Sequence, residues 1–266
     1  MKIALVIDET FFFHPKYVED ICQKYKDEID VVFLVTKIKK KNSLEKYLIR
    51  NIFYLTLNEI FILSFIKMSK IIRDFFYRNF KLGNSQSVYS TLKKYNIKIF
   101  KVHYDLNTQE VYDCLIKNKV KLIISSNSLF FGKKILNIPN LVCINRHSSY
   151  LPMNAGLWPA FYSISNELDY TGTTIHIVNE KIDTGKIISQ KKINIFSKNL
   201  FDLYKECYKI SSELTFEAII KLTNNSLDYQ KNVVNEVVYN SFPKREDWKK
   251  FRKNGGKFVS WNNLFY

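Results

Sequence analysis

The chain has 266 residues, of which 46% are hydrophobic, so it has enough apolar material for one large folded domain and is not disordered. Its formal net charge of +16 excludes a generally acidic surface. The charge favours an acidic partner, such as a nucleic acid, an anionic membrane surface or a phosphorylated small molecule. Most of the excess charge lies between Lys37 and Lys101. The alternative to an acidic partner is that this part of the chain forms a basic face that contacts only solvent.

The beginning of the chain and its cysteines both indicate a reducing compartment. The apolar run at residues 3–7 continues directly into Asp8 and Glu9, as a first core strand does and a secretory leader does not. The cysteines are far apart, and each lies in an apolar context, which predicts buried free thiols rather than disulfides or zinc ligands. They are Cys22, Cys114, Cys143 and Cys207. We therefore expect a cytoplasmic protein.

Short apolar runs alternate with helical patterns through the first half of the chain. The apolar runs predict strands at residues 2–7, 30–35, 98–102, 121–126 and 141–144. Apolar residues at helical spacing predict helices around residues 18–25, 88–95 and 109–118. This alternation predicts an α/β fold with an open, mainly parallel, twisted sheet, and such sheets bind ligands at the carboxyl ends of their strands.

A helical insert, at about residues 40–95, interrupts this alternation. Its most apolar part, residues 53–66, is too short to cross a membrane and contains Glu59. A core helix or a homodimer contact is the favoured interpretation, and basic flanks make attachment to a membrane surface the alternative. We expect its apolar face to form a dimer contact or a lid over the substrate. That face is predicted to include Ile52, Leu55, Ile62 and Phe65.

The pattern changes after residue 145. Residues 173–178 and 186–195 are predicted strands on either side of the turn KIDTGK, and a long amphipathic helix is predicted from Leu200 to Ala218. We therefore predict a main domain at residues 1–198, followed by a C-terminal helix and basic extension at residues 199–266.

Polar residues follow the predicted strand at residues 141–144. Asn145 and His147 are two positions apart, so they share one face of a strand and project into the crevice at the carboxyl edge of the sheet. Asp183 lies in the turn further along the chain. In acyl transfer an Asn donates to the oxyanion, a His moves a proton and an Asp polarises the His. No Ser or Cys nucleophile is evident, so the pattern favours direct transfer between two substrates. A structural, hydrogen-bonded histidine is the alternative.

The remaining histidine in this region, His176, lies inside the predicted strand 173–178. A strand histidine with satisfied hydrogen bonds is the favoured interpretation, and a side chain that faces the site is the alternative. The side chains of His147, His176 and Asp183 have donor atoms that suit zinc. Their spacing is not that of a compact ligand set, and we predict no metal site.

Several motifs follow one another in order between residues 145 and 190: N-x-H-x-S, LP, AGLWPA, TGTTIH and IDTGKIISQ. Together they resemble the catalytic core of the folate-dependent formyltransferases, which act on methionyl-tRNA, glycinamide ribonucleotide or nucleotide-linked amino sugars. The resemblance is concentrated in residues 121–195. It implies a Rossmann-like formyltransferase fold, N10-formyltetrahydrofolate as the formyl donor, and Asn145, His147 and Asp183 as the catalytic trio.

The resemblance also implies which loops contact the two substrates. The folate ring in this family lies against the loop before the catalytic strand and the loop that carries the Asp. The matching residues here are Ser126, Asn127, Ser128, Leu129, Phe130, Ile182 and Gly185. On the acceptor side we expect contacts from Ser148, Gly156 and Trp158. Packing in the core is the alternative for Leu129, Phe130 and Trp158.

The acceptor is expected to be a nucleotide-linked amino sugar or a similar small, phosphate-bearing amine. Residues 8–15, DETFFFHP, lack the glycines of the phosphate loop that glycinamide ribonucleotide enzymes carry. The part after residue 198 leaves little room for the β-barrel domain of the methionyl-tRNA enzymes. Basic residues of the tail are candidates to contact a pyrophosphate, although a solvated basic face is the favoured interpretation for most of them. These residues are Lys244, Arg245, Lys249 and Arg252.

Three alternatives remain open from the sequence. The first is activity like that of a methionyl-tRNA formyltransferase, for which the positive charge would suit tRNA phosphates. The second is hydrolysis of formyltetrahydrofolate, with water in place of the amine. The third is a basic RNA- or membrane-binding protein that retains the fold without the activity, although such a protein has no need of Asn145, His147 and Asp183 together.

Overall fold

The computed structural model describes residues 1–37, 49, 52–224, 226, 229–230, 232 and 239–266. Residues 40–48, 50 and 51 of the predicted insert lie outside the described residues. The strands are β1 Ile3–Asp8, β2 Ile29–Lys37, β3 Ile99–His103, β4 Leu122–Ser126, β5 Val142–His147, β6 Tyr170–Ile177 and β7 Ile187–Asn194. They form one sheet in the order β3-β2-β1-β4-β5-β6-β7, in which β1 to β5 are parallel. The last two strands are antiparallel to their neighbours, so the predicted mainly parallel sheet is confirmed.

Helices cover both faces of this sheet. They are α1 His14–Tyr25, α2 Leu57–Phe80, α3 Val88–Lys94, α4 Gln109–Lys117, α5 Lys133–Leu136, α6 Pro159–Ser165, α7 Leu200–Thr223 and α8 Arg245–Lys253. Successive residues of a strand point to opposite faces of the sheet. Leu5 of β1 therefore packs in a core with residues of α1, α3 and α7, whereas Val6 packs with residues of α4 on the other face. This double coverage explains why β1 is apolar without alternation.

Strand β5 continues three residues beyond the predicted end at Ile144. Asn145 pairs with His176 and His147 pairs with Thr174 in the antiparallel ladder with β6. Strand β6 thus supplies hydrogen-bond partners for the backbone of this polar stretch. A prediction based on hydrophobicity alone does not detect this pairing. As a result, two side chains predicted to follow a strand lie within it.

Helix α2 is fixed to the C-terminal part of the chain by a buried ion pair. Arg252 of α8 donates to both carboxylate oxygens of Glu59, at 2.8 Å and 2.5 Å, and Glu59 is 4% exposed. The same carboxylate accepts from the backbone N–H of Phe258 at 2.6 Å. The residues predicted to form one apolar face of the insert differ in their exposure, since Ile62 is buried in the core and Phe65 is 44% exposed.

The cysteines are free thiols, as predicted, and Cys22, Cys143 and Cys207 are buried while Cys114 is half-buried. In the part of the chain that the structure describes, no helix combines the length and apolar character needed to cross a membrane.

Breaking the ion pair of α2 and α8 is expected to destabilise the protein. Arg252→Met would leave the buried Glu59 carboxylate without its cation, and we expect a loss of about 2 kcal/mol in the free energy of unfolding. Lys249→Met removes the same charge from an exposed position of α8 and is the matched control. Urea unfolding measures both, and equal stability of the two variants would contradict a structural role for the pair.

Candidate active site

Three polar side chains from β5 and β6 meet at the point where the two strands pair. Asn145 and His147 lie on the same face of β5, and His147 is 8% exposed. The amide nitrogen of Asn145 lies 3.3 Å from Nε2 of His176, which stands opposite it on β6. His176 is thus part of the cluster, whereas the sequence favoured a structural strand histidine. Strand periodicity alone could not reveal this neighbourhood, because it depends on the register between β5 and β6.

The loop between β6 and β7 brings Asp183 to the same place. Its Oδ2 atom is 3.5 Å from Nδ1 of His147, and its Oδ1 atom is 3.4 Å from Nε2 of His176. The backbone N–H of Gly156 donates to Oδ2 at 2.8 Å. The structure therefore brings Asn145, His147 and Asp183, the three predicted catalytic residues, into one cluster with His176.

The backbone of this loop leaves no space for a side chain at Gly185. Asp183 has φ of 51°, in the left-handed region, and the side-chain amide of Asn232 donates to its carbonyl oxygen at 2.8 Å. A Cβ at Gly185 would lie 1.7 Å from the carbonyl oxygen of Ile177. The glycine is required because the loop passes directly against the end of β6.

Opposing effects set the charge of Asp183 and His147. Burial disfavours ionisation of Asp183, but the charge of His147, the hydrogen bond and charge of His176 and the N–H of Gly156 together hold the pKa of Asp183 well below its usual range. Burial lowers the pKa of His147 below its ordinary value, against the opposing attraction of Asp183. Asp183 is therefore an anion and His147 a neutral imidazole at neutral pH.

The hydrogen bonds of the two imidazoles fix their tautomers. Nε2 of His147 lies 3.1 Å from the carbonyl oxygen of Asn154, and Nδ1 of His176 lies 2.9 Å from that of Ile177. A carbonyl oxygen only accepts, so these nitrogens carry the proton in the neutral rings. When the His147 ring is neutral, its Nδ1 therefore faces Asp183 without a proton. The cluster consequently has a place for one additional proton, between the carboxylate and His147.

The loops predicted to contact folate lie next to each other. Lys133, at the start of α5, forms an ion pair of 3.3 Å with Glu180 of the Asp183 loop. Of the predicted contact residues, Phe130 is 58% and Ile182 36% exposed, whereas Leu129 is partly buried against the core.

The polar residues of the first loop are held by the protein itself. Ser126 is buried at the end of β4, and the Asn127 side chain bonds within its own loop, to Ser125 and Leu129. The hydroxyl of Ser128 donates to Asp8 at 2.6 Å. Their side chains therefore shape the loop.

The predicted acceptor residues do not all face the cluster. Ser148 is 5% exposed, and its hydroxyl accepts a hydrogen bond from Arg146. Trp158 packs among aromatic rings, 5.6 Å from Phe161 between centroids. Gly156 does adjoin the cluster through its bond to Asp183, and a Cβ there would meet the carbonyl oxygen of Asn240 at 2.4 Å.

Two features of the site had no signal in the sequence. Arg146 lies between Asn145 and His147 but points to the other face of β5, where it donates to Ser211 at 2.9 Å and stacks on Tyr208 at 3.6 Å. The C-terminal segment reaches back to the site, since Asn240 pairs with the backbone on either side of Gly156. Both contacts are long-range in sequence, and no local pattern predicts them. Within the described residues, no group of three or more His, Cys, Asp or Glu is arranged to hold a metal ion.

His14 supports the loop at the end of β4. Its Nε2 atom lies 3.1 Å from the carbonyl oxygen of Ser126 and 3.0 Å from the hydroxyl of Tyr208. Burial, and then the positive charge of Arg146, lower the pKa of His14 from 6.5 to about 3, against the effect of the Ser126 carbonyl. His14 is therefore neutral in the folded protein at every pH at which the fold is expected to be stable.

Replacing Gly185 is expected to disturb the Asp183 loop. The clash of an added methyl group with Ile177 involves backbone, so Gly185→Ala should lower the free energy of unfolding by about 1–3 kcal/mol. Gly132→Ala is the control, because a Cβ there meets only the exposed side chain of Asn107. Urea unfolding compares the two, and a Gly185→Ala protein as stable as the control would show that the loop does not need the glycine.

The neutral state of His14 predicts a specific loss of stability in acid. Between pH 6.5 and about 3 the unfolded chain binds a proton at His14 that the folded protein does not bind. Each unit of acidification in this range therefore lowers the free energy of unfolding by about 1.4 kcal/mol through this residue.

His14→Gln should remove this part of the slope, measured by urea unfolding between about pH 7 and about pH 5. His103→Gln, at an exposed position, is the matched control. Identical slopes for wild type and His14→Gln would contradict the burial effect.

Comparison with known proteins identifies the family of the chain. A family model described as formyl transferase matches residues 1–219. The methionyl-tRNA formyltransferase of Thermotoga neapolitana is 31% identical over 144 residues, which are 53% of this chain and 46% of that protein. The match thus spans less than half the length of that curated relative.

Solved structures share the fold. A 4-N formyltransferase from Francisella tularensis superposes with a TM-score of 0.56 at 23% identity, covering 91% of this chain and 76% of that one. The N-formyltransferase from Helicobacter canadensis, in complex with folinic acid and dTDP-3-aminofucose, has a TM-score of 0.56 at 17% identity, covering 93% and 72%. With its sheet, its site and a family model that matches most of its length, the chain belongs to the formyl transferase family.

Proposed function

We propose that this protein transfers a formyl group from N10-formyltetrahydrofolate to a primary amine. The observation that carries the proposal is the cluster of Asn145, His147 and Asp183 at the edge of the sheet, in a chain of the formyl transferase family. The complex of the Helicobacter canadensis relative with folinic acid supports a folate donor.

The chemistry is a direct displacement at the formyl carbon. The amine nitrogen attacks this carbon, a C–N bond forms, and the negative charge develops on the formyl oxygen. The Asn145 amide donates to that oxygen, and so does the Nε2–H of His147, which exchanges its bond to the Asn154 carbonyl for one to the formyl oxygen. The formyl oxygen is the atom whose charge changes most in the reaction. The bond from carbon to N10 of the folate then breaks, and the proton lost by the amine balances the proton gained by N10.

Asp183 and the two imidazoles are suited to hold that proton in transit. The carboxylate is ionised, and the neutral ring of His147 turns an unprotonated nitrogen towards it. The cluster of Asp183 and His147 can therefore accept the proton that the attacking amine loses. We assign Asp183 the role of proton acceptor and His176 that of a partner that shares the charge.

We place the folate between the loops at residues 126–130 and 180–185. The exposed side chains of Phe130 and Ile182 supply apolar surface for a flat ring, and the ion pair between Lys133 and Glu180 shows that the two loops are close together. On the acceptor side, Gly156 has no side chain, so the acceptor can closely approach the backbone there. We assign supporting roles to Ser148, which is bonded to Arg146, and to Trp158, which packs against neighbouring aromatic rings.

The proposed acceptor is a nucleotide-linked amino sugar or a similar small amine. The aminosugar nucleotide bound by the Helicobacter canadensis relative supports this class. The loop from β1 to α1 does not suit a phosphate cradle, because Phe13 packs against Phe201 at 4.9 Å between ring centroids. Lys244, Arg245 and Lys249 are exposed and available to a pyrophosphate, whereas Arg252 is committed to Glu59.

A second candidate acceptor is methionyl-tRNA. The relative from Thermotoga neapolitana favours it, and the net charge of +16 suits a polyanion.

The test is release of tetrahydrofolate from N10-formyltetrahydrofolate, compared for nucleotide-linked amino sugars, initiator methionyl-tRNA and no acceptor. His147→Ala is expected to lower turnover by about 10²–10³, as loss of one oxyanion donor does. His103→Ala, at an exposed position at the end of β3, should leave turnover unchanged.

The acceptor dependence decides between the alternatives. Release only with an amino sugar supports the proposal, and release only with methionyl-tRNA assigns the second acceptor. Release without an acceptor identifies a hydrolase. A folded protein that neither binds folate nor turns over would overturn the proposal.

A further inference from the structure

Helix α2 is apolar on two opposite faces. Ile62 and Ile66 are buried on the inner face, each 1% exposed. An outer stripe of large apolar side chains, each between 44% and 57% exposed, runs along the other face. The outer stripe consists of Phe61, Phe65, Met68, Ile72, Phe75 and Phe76. These positions follow one another at the three- and four-residue spacing of one helix face, along a helix of about 36 Å.

Buried polar contacts prevent the helix from turning this stripe inward. Glu59 is held by Arg252 near the start of α2. Near its other end Asp74, 2% exposed, accepts from the backbone N–H groups of Gln86 and Ser87 at 2.8 Å and 3.0 Å. Rotation of α2 would leave both carboxylates buried without partners, which is costly. The outward orientation of the outer stripe is therefore part of the fold.

The exposed charged residues of α2 all have one sign. The acidic residues of α2 are Glu59 and Asp74, and both are buried. Its exposed charged residues, together with the one that follows the helix, are Lys67, Arg73, Arg78 and Lys81. A second copy of α2 packed on the stripe would bring like charges together, whereas an anionic surface would be attracted to them.

An aromatic residue of the C-terminal segment borders the same surface. Trp261 is 53% exposed, and its ring lies 5.9 Å from that of Phe61 between centroids. Tryptophan is favoured at membrane–water interfaces because one part of its ring system is apolar and its N–H is polar. The surface thus combines an apolar stripe, flanking cations and an interfacial aromatic residue.

We propose that the outer stripe docks on an anionic membrane surface, with α2 lying in the plane of the lipid headgroups. The apolar side chains enter the boundary of the acyl chains, and the lysine and arginine side chains contact anionic headgroups. This interaction is independent of the proposed formyl transfer, because none of its residues belongs to the candidate active site.

Vesicle flotation with the full chain tests the docking. Vesicles of phosphatidylcholine alone are compared with vesicles containing about 30% phosphatidylserine, at about 0.1 M and about 0.5 M salt. We expect binding to the anionic vesicles and weaker binding at the higher salt. The triple variant Phe65→Ser, Ile72→Ser, Phe75→Ser should bind at least about tenfold less tightly, since it removes half of the stripe and leaves every charge in place.

A matched control removes exposed apolar residues from other helices. Ile116 of α4 and Ile220 of α7 are 45% and 50% exposed, and their joint replacement by Ser should leave vesicle binding unchanged. Circular dichroism confirms that both variants are folded. Separately, Arg73→Gln with Lys81→Gln should remove the preference for anionic vesicles.

Four results would overturn the proposal. These are no vesicle binding by the wild type, equal binding to neutral and anionic vesicles, full binding by the triple variant, and a wild-type dimer that the triple variant dissociates without any vesicle binding. Light scattering detects the last of these, and it would assign the outer stripe to a contact between two copies of the chain.

Discussion

The arrangement of the candidate site depends on one buried carboxylate. Asp183 lies 8% exposed between two imidazoles, and burial of its charge is tolerated only because these rings and the N–H of Gly156 surround it. Three separate parts of the chain must therefore meet at one point: β5, β6 and the loop at residues 154–156. The left-handed backbone of Asp183 and the missing side chain of Gly185 allow the last few ångströms of approach.

A second buried carboxylate organises the periphery. Glu59 connects α2 to Arg252 of α8 and to the backbone of Phe258, so the helical insert and the C-terminal extension form one connected layer. This connection explains two findings at once. Arg252 is unavailable to a substrate although its sequence context is that of a basic tail, and α2 is held with an apolar face towards solvent.

Much of the fold and part of the candidate site could be predicted from the sequence, because both depend on local sequence patterns. Apolar runs located the strands, and the i, i+2 spacing placed Asn145 and His147 on one face. The position of His176 could not be predicted in this way, since it depends on the register of two antiparallel strands. Arg146 is a similar case, because its partners Ser211 and Tyr208 lie on α7, more than sixty residues away.

The sequence by itself determined the elements, their alternation, and the residue types at the edge of the sheet, because periodicity and turn chemistry act over a few residues. Only the tertiary structure decided which of these residues lie around the Asp183 carboxylate and which apolar face of α2 is buried. Such contacts join remote segments of the chain, and a helix with two apolar faces has no local signal to select one. That selection comes from Glu59 and Asp74, whose partners lie elsewhere in the chain.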